Sequence, residues 1–402
     1  MKVVSYTSLF PNAVSPLHGV FVRARVLALS KLCDVRVVAP IPFFPRLPFR
    51  LTGRLSRYQT YAQVPPAEEC GALPITHPRY LTFPKVGKGL DGDLMYYSTR
   101  QSVEKLHEEE SIDLIDAHWA YPDGYAAMRV AQSLDIPYTV TVRGDDLSET
   151  TKDPVRREKI TKTLSQAAHV FAVCAALRDA AVDLGISENK VSVVGNGVDL
   201  DMFFPSERKS ARRSLGLVEH GKVVVSVGHL CKRKGFDILI DAIAKLHAKG
   251  IKDLCLVIVG GAGEEGDVRR ELEEKAQSLP RGVVRLVGPK LPSELRLWYS
   301  AADVCCLASS REGWANVLLE SLACGTPVVA TDVWGTPEVI DSPSLGMLVD
   351  RNSAAFAQAI ELGLNRRWDT ETIVAKAKNR TWGRVAQELW SFIRDLDIPR
   401  AA

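Results

Sequence analysis

Two glutamates with seven residues between them carry the sharpest chemical signal in the chain. They close the stretch Glu312-Gly313-Trp314-Ala315-Asn316-Val317-Leu318-Leu319-Glu320. An apolar run at 303–307 precedes it and reads as a strand. The apolar continuation reads as a helix that ends near Cys324-Gly325, where Gly325 suits a helix C-cap and Pro327 blocks continuation. This reading puts Glu312 in the strand-to-helix loop and Glu320 roughly two turns down the helix. Between them lies a helix start, with free backbone N–H groups and the positive end of the helix dipole. A diphosphate suits that position. Two carboxylates beside an anion would be repelled by it, so they should face its neutral neighbours. One would accept hydrogen bonds from hexose hydroxyls, the other from ribose hydroxyls.

The elements that must hold this loop repeat along the chain. Short β-branched runs fall at 3–6, 35–39, 114–117, 138–142, 170–173 and 191–194, then at 223–227, 254–259, 283–287, 304–307, 328–330 and 347–349. Helical stretches such as 21–32 and 95–109 separate them. Near-continuous apolar strands alternating with helices imply parallel sheets covered on both faces. Two such series predict an α/β protein of two doubly wound, Rossmann-like domains with their parallel sheets across a deep cleft. The charged, Pro-containing stretch at 204–209 sets the expected boundary: residues 1–205 and 206–380. A last helix, 381–402, has one apolar face through Trp382, Val385, Leu389, Trp390 and Ile393. It either caps the second domain or packs back on the first, and the domain assignment takes the second course.

Composition narrows the function. At 402 residues the chain exceeds one ordinary core. A net charge of +3 gives no footprint for nucleic acid. Eight cysteines show no metal-like or redox-like spacing, and several sit in apolar runs, so a reducing cytosol is expected. No apolar stretch reaches the ~20 residues of a membrane helix. The first hundred residues nevertheless carry thirteen Lys/Arg against five acids. Within them, 41–61 interleaves Phe43, Phe44, Phe49 and Tyr58 with Arg46, Arg50, Arg54 and Arg57. That mixture suits an anionic membrane surface or a lipid-diphosphate acceptor as well as it suits a solvated loop. Peripheral contact at the inner face of the membrane, through 41–61, is the expectation.

The two-glutamate stretch resembles the E-x7-E motif of glycosyltransferase family 4, retaining enzymes of the GT-B fold. Leu295 to Val304, Ala323 to Asp332, Gly335 to Ile340, Asn196-Gly-Val-Asp199 and Gly228 to Asp237 are similar to further family segments in the same order. Gly19-Val-Phe21, Asp116 to Gly124 and Arg143-Gly-Asp-Asp146 resemble the branch that builds surface polysaccharides. The resemblance implies that Glu312 contacts the transferred sugar, Glu320 the ribose, and Lys234 the departing phosphate. It implies that His118 hydrogen-bonds the donor sugar and that Gly19 admits the diphosphate. Arg143, Gly228, His229, Arg233, Gly260, Gly313, Trp314, Ala315, Asn316 and Val317 complete the expected donor site. His229 stands where the family usually has Arg. Either it is protonated beside the phosphates, or Lys232 or Arg233 reaches in instead.

Two other patterns have simpler readings. Gly261-Ala-Gly263-Glu-Glu-Gly266 matches a dinucleotide fingerprint, but its acids would repel a pyrophosphate and its strand is the second of its domain. Asp91-Gly-Asp93 imitates a D-x-D metal site, yet reads as a turn and helix N-cap. The expected partners are thus a nucleotide diphosphate-sugar donor and a glycan or polyprenyl-diphosphate-linked acceptor, with no cofactor and no obligatory metal. A nucleotide-sugar 2-epimerase and a non-catalytic sugar-nucleotide-binding subunit remain the alternative readings.

Overall fold

The computed structural model describes residues 1–45, 56–83, 87–263 and 265–396, and side chains at 56–58 are outside the description. Residues 46–55 of the Arg/aromatic segment 41–61, with Arg46, Phe49, Arg50 and Arg54, and Glu264 therefore lie outside the described residues. The chain divides into two units, Met1–Asn196 with the segment from Trp382 on, and Gly197–Thr381. The cut falls at Asn196/Gly197 rather than after residue 205. The charged stretch that suggested the later boundary belongs to the second unit: Val198 N–H donates to Arg380 O at 3.0 Å, and Val198 and Phe203 enter that unit's core.

The first unit holds β1 (Lys2–Tyr6), β2 (Asp34–Val38), β3 (Ile41–Pro42), β4 (Ala67–Cys70), β5 (Leu73–Thr76), β6 (Arg79–Tyr80), β7 (Leu114–His118), β8 (Tyr138–Val142), β9 (His169–Ala172) and β10 (Val191–Val193). Its eight-stranded sheet runs β10-β9-β8-β7-β1-β2-β5-β4. All pairs are parallel except β4–β5. That antiparallel edge carries Glu68 and Glu69 and no apolar run, so periodicity gave no sign of it. The second unit holds β11 (Lys222–Val227), β12 (Leu254–Val259), β13 (Val284–Leu286), β14 (Val304–Leu307), β15 (Val328–Thr331) and β16 (Gly346–Val349). These form an all-parallel sheet in the order β13-β12-β11-β14-β15-β16.

Each sheet has one place where the strand order reverses, between β1 and β7 in the first unit and between β11 and β14 in the second. Loops leaving the carboxyl ends of those neighbours turn to opposite faces and open a crevice where ligands bind in such sheets. Buried Val, Ile, Leu and Cys on both faces of β11, β12 and β14 explain why these strands read as continuous apolar runs.

The helix Trp382–Arg394 buries Val385, Ala386, Leu389 and Ile393. Val385, Leu389 and Ile393 pack against Val3, Leu114, Phe171 and Val194 of the first unit. The i, i+4, i+8 spacing of Val385, Leu389 and Ile393 supplies that face. Leu389 is fully buried. Leu389→Ala is expected to cost about 2–5 kcal/mol, read as a lower midpoint of chemical denaturation. An unchanged midpoint would show that this helix is not part of the first unit's core.

Candidate active site

In the second unit the expected donor residues gather at the β11/β14 reversal. The β11 strand ends at Val227, and the chain turns through Gly228, His229 and the single turn Lys232–Lys234 before the helix Phe236–Ala248. The β14 strand ends at Leu307 and leads through Glu312 to the helix Asn316–Ala323. Lys234 Nζ donates to Glu312 Oε1 at 2.6 Å, and Arg233 Nη1 lies 3.6 Å from the same oxygen. Burial raises the Glu312 carboxyl, but the two cations and the Lys234 hydrogen bond outweigh it and hold the group below the ordinary glutamate range. Glu312 is therefore a buried, ionised acceptor.

Arg233 is committed elsewhere. Nε and Nη2 meet the Glu265 carboxylate at 2.6–3.0 Å, and Nη1 donates to Arg311 O at 3.0 Å. It ties the loops after β11, β12 and β14 together. Lys232 is exposed, and its carbonyl accepts from Arg351. His229 is exposed too, its ring against Gly263, where an added Cβ would lie 2.8 Å from His229 Cβ and Cγ. Gly228 and Gly260 meet backbone to backbone. A Cβ on Gly260 would lie 1.8 Å from Gly228 O, so no larger residue fits there.

The loop Gly313, Trp314 and Ala315 delivers Asn316 and Val317 to the helix start. The Asn316 and Leu318 amides already donate to Trp314 and Ala315 carbonyls, leaving chiefly the rest of the first turn and the dipole for an anion. Glu320 is the fifth residue of this eight-residue helix, about one turn in rather than two. Its Oε2 accepts from Tyr299 OH at 2.8 Å. Burial pushes its carboxyl up to about 7, against the smaller opposing effect of the Tyr299 hydrogen bond.

In the first unit, Gly19, His118 and Arg143 lie at the carboxyl ends of β1, β7 and β8. Gly19 caps the helix Val20–Leu29 with φ 69°, and a Cβ there would lie 2.3 Å from Leu9 O. Its glycine is thus demanded by the turn itself. His118 ends β7 fully buried, with Nδ1 3.0 Å from Arg143 Nη2. Arg143 N–H donates to the Asp146 carboxylate at 3.1 and 3.2 Å, and its Nη1 reaches Asn196 Oδ1 at 3.4 Å. Arg25 lies in the same buried layer, donating to Thr141 Oγ1 at 2.9 Å. Sequence reading passed over Arg25, although an arginine between Val22 and Val26 on an apolar helix face was a visible signal. It took Glu265 only as an acid that would repel a pyrophosphate and gave Tyr299 no role, because their partners are 32 and 21 residues away.

The D-x-D look-alike is explained by cations. Asp93 pairs with Arg129 and Lys159, and Asp91 with Lys88 at 3.1 Å. Neither caps the helix Asp91–Glu110: both sit inside its first turn, behind Leu90. A cleft of about 470 Å³ lined by Arg208, Arg212, Lys222, Asp303 and Thr370 lies at the other, amino-terminal ends of β11 and β14. It holds none of the expected site residues.

With this geometry in view, comparison with known proteins is specific. A Glycosyltransferase Family 4 model matches residues 26–202, and a Glycosyl transferases group 1 model matches 221–365. TuaC of Bacillus subtilis, assigned to teichuronic acid biosynthesis, is 29% identical over 90% of this chain and 88% of its own. A D-inositol 3-phosphate glycosyltransferase of Streptosporangium roseum is 30% identical over 73% of this chain and 71% of its own. Among solved structures, Anabaena HepE in complex with UDP-glucose superposes with a TM-score of 0.71 at 19% identity, covering 98% of this chain and 99% of its own. The chain belongs to the group 1/family 4 glycosyltransferases and has their GT-B fold.

The raised Glu320 carboxyl has a measurable sign. Its folded value lies above the ordinary 4.5, so its neutral form favours the fold and that contribution disappears as pH rises through about 7. Glu320→Gln should therefore gain stability relative to the native chain as pH goes from 4.5 to 7, by on the order of 2 kcal/mol. Chemical denaturation without ligand at pH 5 and pH 8 measures this. A difference that does not change with pH would contradict it.

Proposed function

We propose that this glycosyltransferase moves a hexose-type sugar, with retention, from a nucleotide diphosphate-sugar to a glycan or polyprenyl-diphosphate-linked acceptor, in cell-surface polysaccharide synthesis at the cytoplasmic face of the membrane. The observation that carries the reading is the Lys234–Glu312 contact at the β11/β14 reversal of a family 4 chain. The likeness to TuaC supports the polysaccharide setting, and the UDP-glucose in the HepE complex supports the donor class.

The chemistry follows from what each group can do. An ammonium has three N–H donors, so Lys234 can keep Glu312 and still reach a phosphate oxygen. As the sugar–phosphate bond breaks, negative charge grows on the leaving diphosphate while the donor carbon becomes cationic. Lys234 and the Asn316–Ala323 helix dipole stabilise the first. Glu312, ionised and oriented by Lys234, accepts from the sugar's hydroxyls. Glu320 must shed its proton to accept from both ribose hydroxyls, so nucleotide binding releases a proton near neutral pH. In this reading the acceptor attacks from the face the diphosphate leaves, and a departing phosphate oxygen takes its proton. No step is routed through a metal.

A lipid-linked acceptor is supported by one edge of the first unit. Phe43, Leu81, Phe83 and Leu90 are each at least half exposed. The β3–β6 pairing sets Phe43 beside Leu81, while the intervening Thr82 turns its hydroxyl to Asp91 and Lys88. Apolar side chains beside a lysine suit an anionic bilayer.

Two experiments test the proposal. Purified protein is screened for turnover of several nucleotide-sugars, in EDTA, with and without acceptor, beside Lys234→Ala. Transfer that persists in EDTA and falls ~10²–10³-fold in the variant is expected. Conversion of the nucleotide-sugar without acceptor would indicate an isomerase, and loss in EDTA restored by Mn²⁺ would overturn the metal-independent mechanism. Equal rates in both proteins would place the phosphate clamp elsewhere. Separately, the double variant Leu81→Ser/Phe83→Ser should co-sediment several-fold less with phosphatidylglycerol-containing vesicles than the native chain. Equal sedimentation would remove this edge as the membrane contact.

A further inference from the structure

The first unit buries more charge than sheet packing requires. Around His118, at the end of β7, stand Arg143 after β8, Arg25 from the helix Val20–Leu29, Asp116 within β7 and Asp146 at the start of the short helix Asp145–Ser148. All five are under a tenth exposed. The hydrogen bonds are directional. Arg143 Nη2 lies 3.0 Å from His118 Nδ1, and a guanidinium has only donors. Nδ1 must therefore be the acceptor, and the ring's single hydrogen resides on Nε2. That nitrogen is buried and has no hydrogen-bond partner among the described residues. The Asp116 carboxylate comes no closer than 3.5 Å, and its Oδ1 is engaged by Thr139 at 2.8 Å. Arg143 itself is fixed by Asn196 and, through its backbone, by Asp146.

We infer that Arg143 is a positioning residue that holds His118 as a neutral, Nε2–H imidazole, so that His118 gives one hydrogen bond to a lone-pair oxygen of the bound substrate and takes no proton from it. The inference deepens the proposed function and rests on it for the identity of that oxygen, a hydroxyl of the donor sugar. The charges agree with the geometry. Burial first, then Arg143 and Arg25, drive His118 well below the ordinary histidine range, and Asp116 and Asp146 do not reverse this. Arg143 is itself pulled down to about 9 by burial and Arg25, and so remains a cation at neutral pH. A general base needs a free lone pair and a stable protonated state. His118 has neither, so the acceptor's proton must go elsewhere, as a phosphate-oxygen route requires.

The test uses the full chain with ¹⁵N-labelled histidine, the His118 signals assigned by their loss in His118→Asn. Native protein should show the neutral Nε2–H pattern, unchanged from pH 5.5 to 8. In Arg143→Gln the ring should titrate at higher pH than in native protein, though short of the ordinary histidine range because burial and Arg25 remain. The kcat/KM of this variant should fall several-fold more between pH 8 and 5.5 than the native value does, because the ring then takes up a proton in that range more readily. Arg143→Lys, which keeps a cationic donor, should restore the native profile and guards against a glutamine variant that fails to fold. An Nδ1–H or titrating His118 in native protein would overturn the inference, as would an Arg143→Gln variant that loses activity equally at every pH. Because the tautomer is read without turnover, a failure to find any donor would sink the proposed function and leave this result standing.

Discussion

Lys234 and Glu312 are 78 residues apart, and their 2.6 Å contact exists because β11 and β14 lie side by side with their carboxyl ends at one edge. A parallel sheet leaves its loops at that edge, and the reversal of strand order sends these two to opposite faces. The gap between them is where a cation and a carboxylate can meet without filling the space a ligand needs. Other features of the second unit serve that gap. Gly260 lets β12 close against Gly228, and Arg233 ties three loops through Glu265 and the Arg311 carbonyl.

The two acids of the E-x7-E stretch receive opposite treatment from one short segment. Glu312 is buried against two cations and stays ionised. Glu320 is half-buried against a tyrosine hydroxyl and an apolar core, and is driven toward its neutral form. Identical side chains thus acquire different chemistry through neighbours alone. The first is ready before any ligand arrives. The second changes form near neutral pH.

In the first unit the same logic runs through arginine. Two buried guanidiniums beside one imidazole would be unfavourable in a core made only for stability. Asn196 and the Thr141 hydroxyl accept hydrogen bonds from the guanidiniums, and the Asp116 and Asp146 carboxylates offset part of their charge. His118 Nε2 and Arg143 Nε keep no hydrogen-bond partner among the described residues, and the first points to a use the unliganded chain does not supply.

Much of the architecture was legible in the residues. Twelve apolar runs read as strands because both faces of a parallel sheet are buried, and each run coincides with an observed strand to within two residues at either end. The motif residues were legible too, since Glu312, Glu320 and Lys234 sit at spacings set by local strand-loop-helix geometry. Tertiary structure decided what lies far apart in sequence. The acidic edge strand β4 has no periodic signal, and residues 197–205 join the second unit through contacts with residue 380 and beyond the local chain. Arg233 was placed among the phosphate ligands by its neighbours in sequence, whereas its partner Glu265 comes from another loop. Local spacing fixes which side chains reach a given edge, because strand and helix periods are short. Which charges then neutralise one another depends on contacts across tens of residues, and only the folded sheet brings those together.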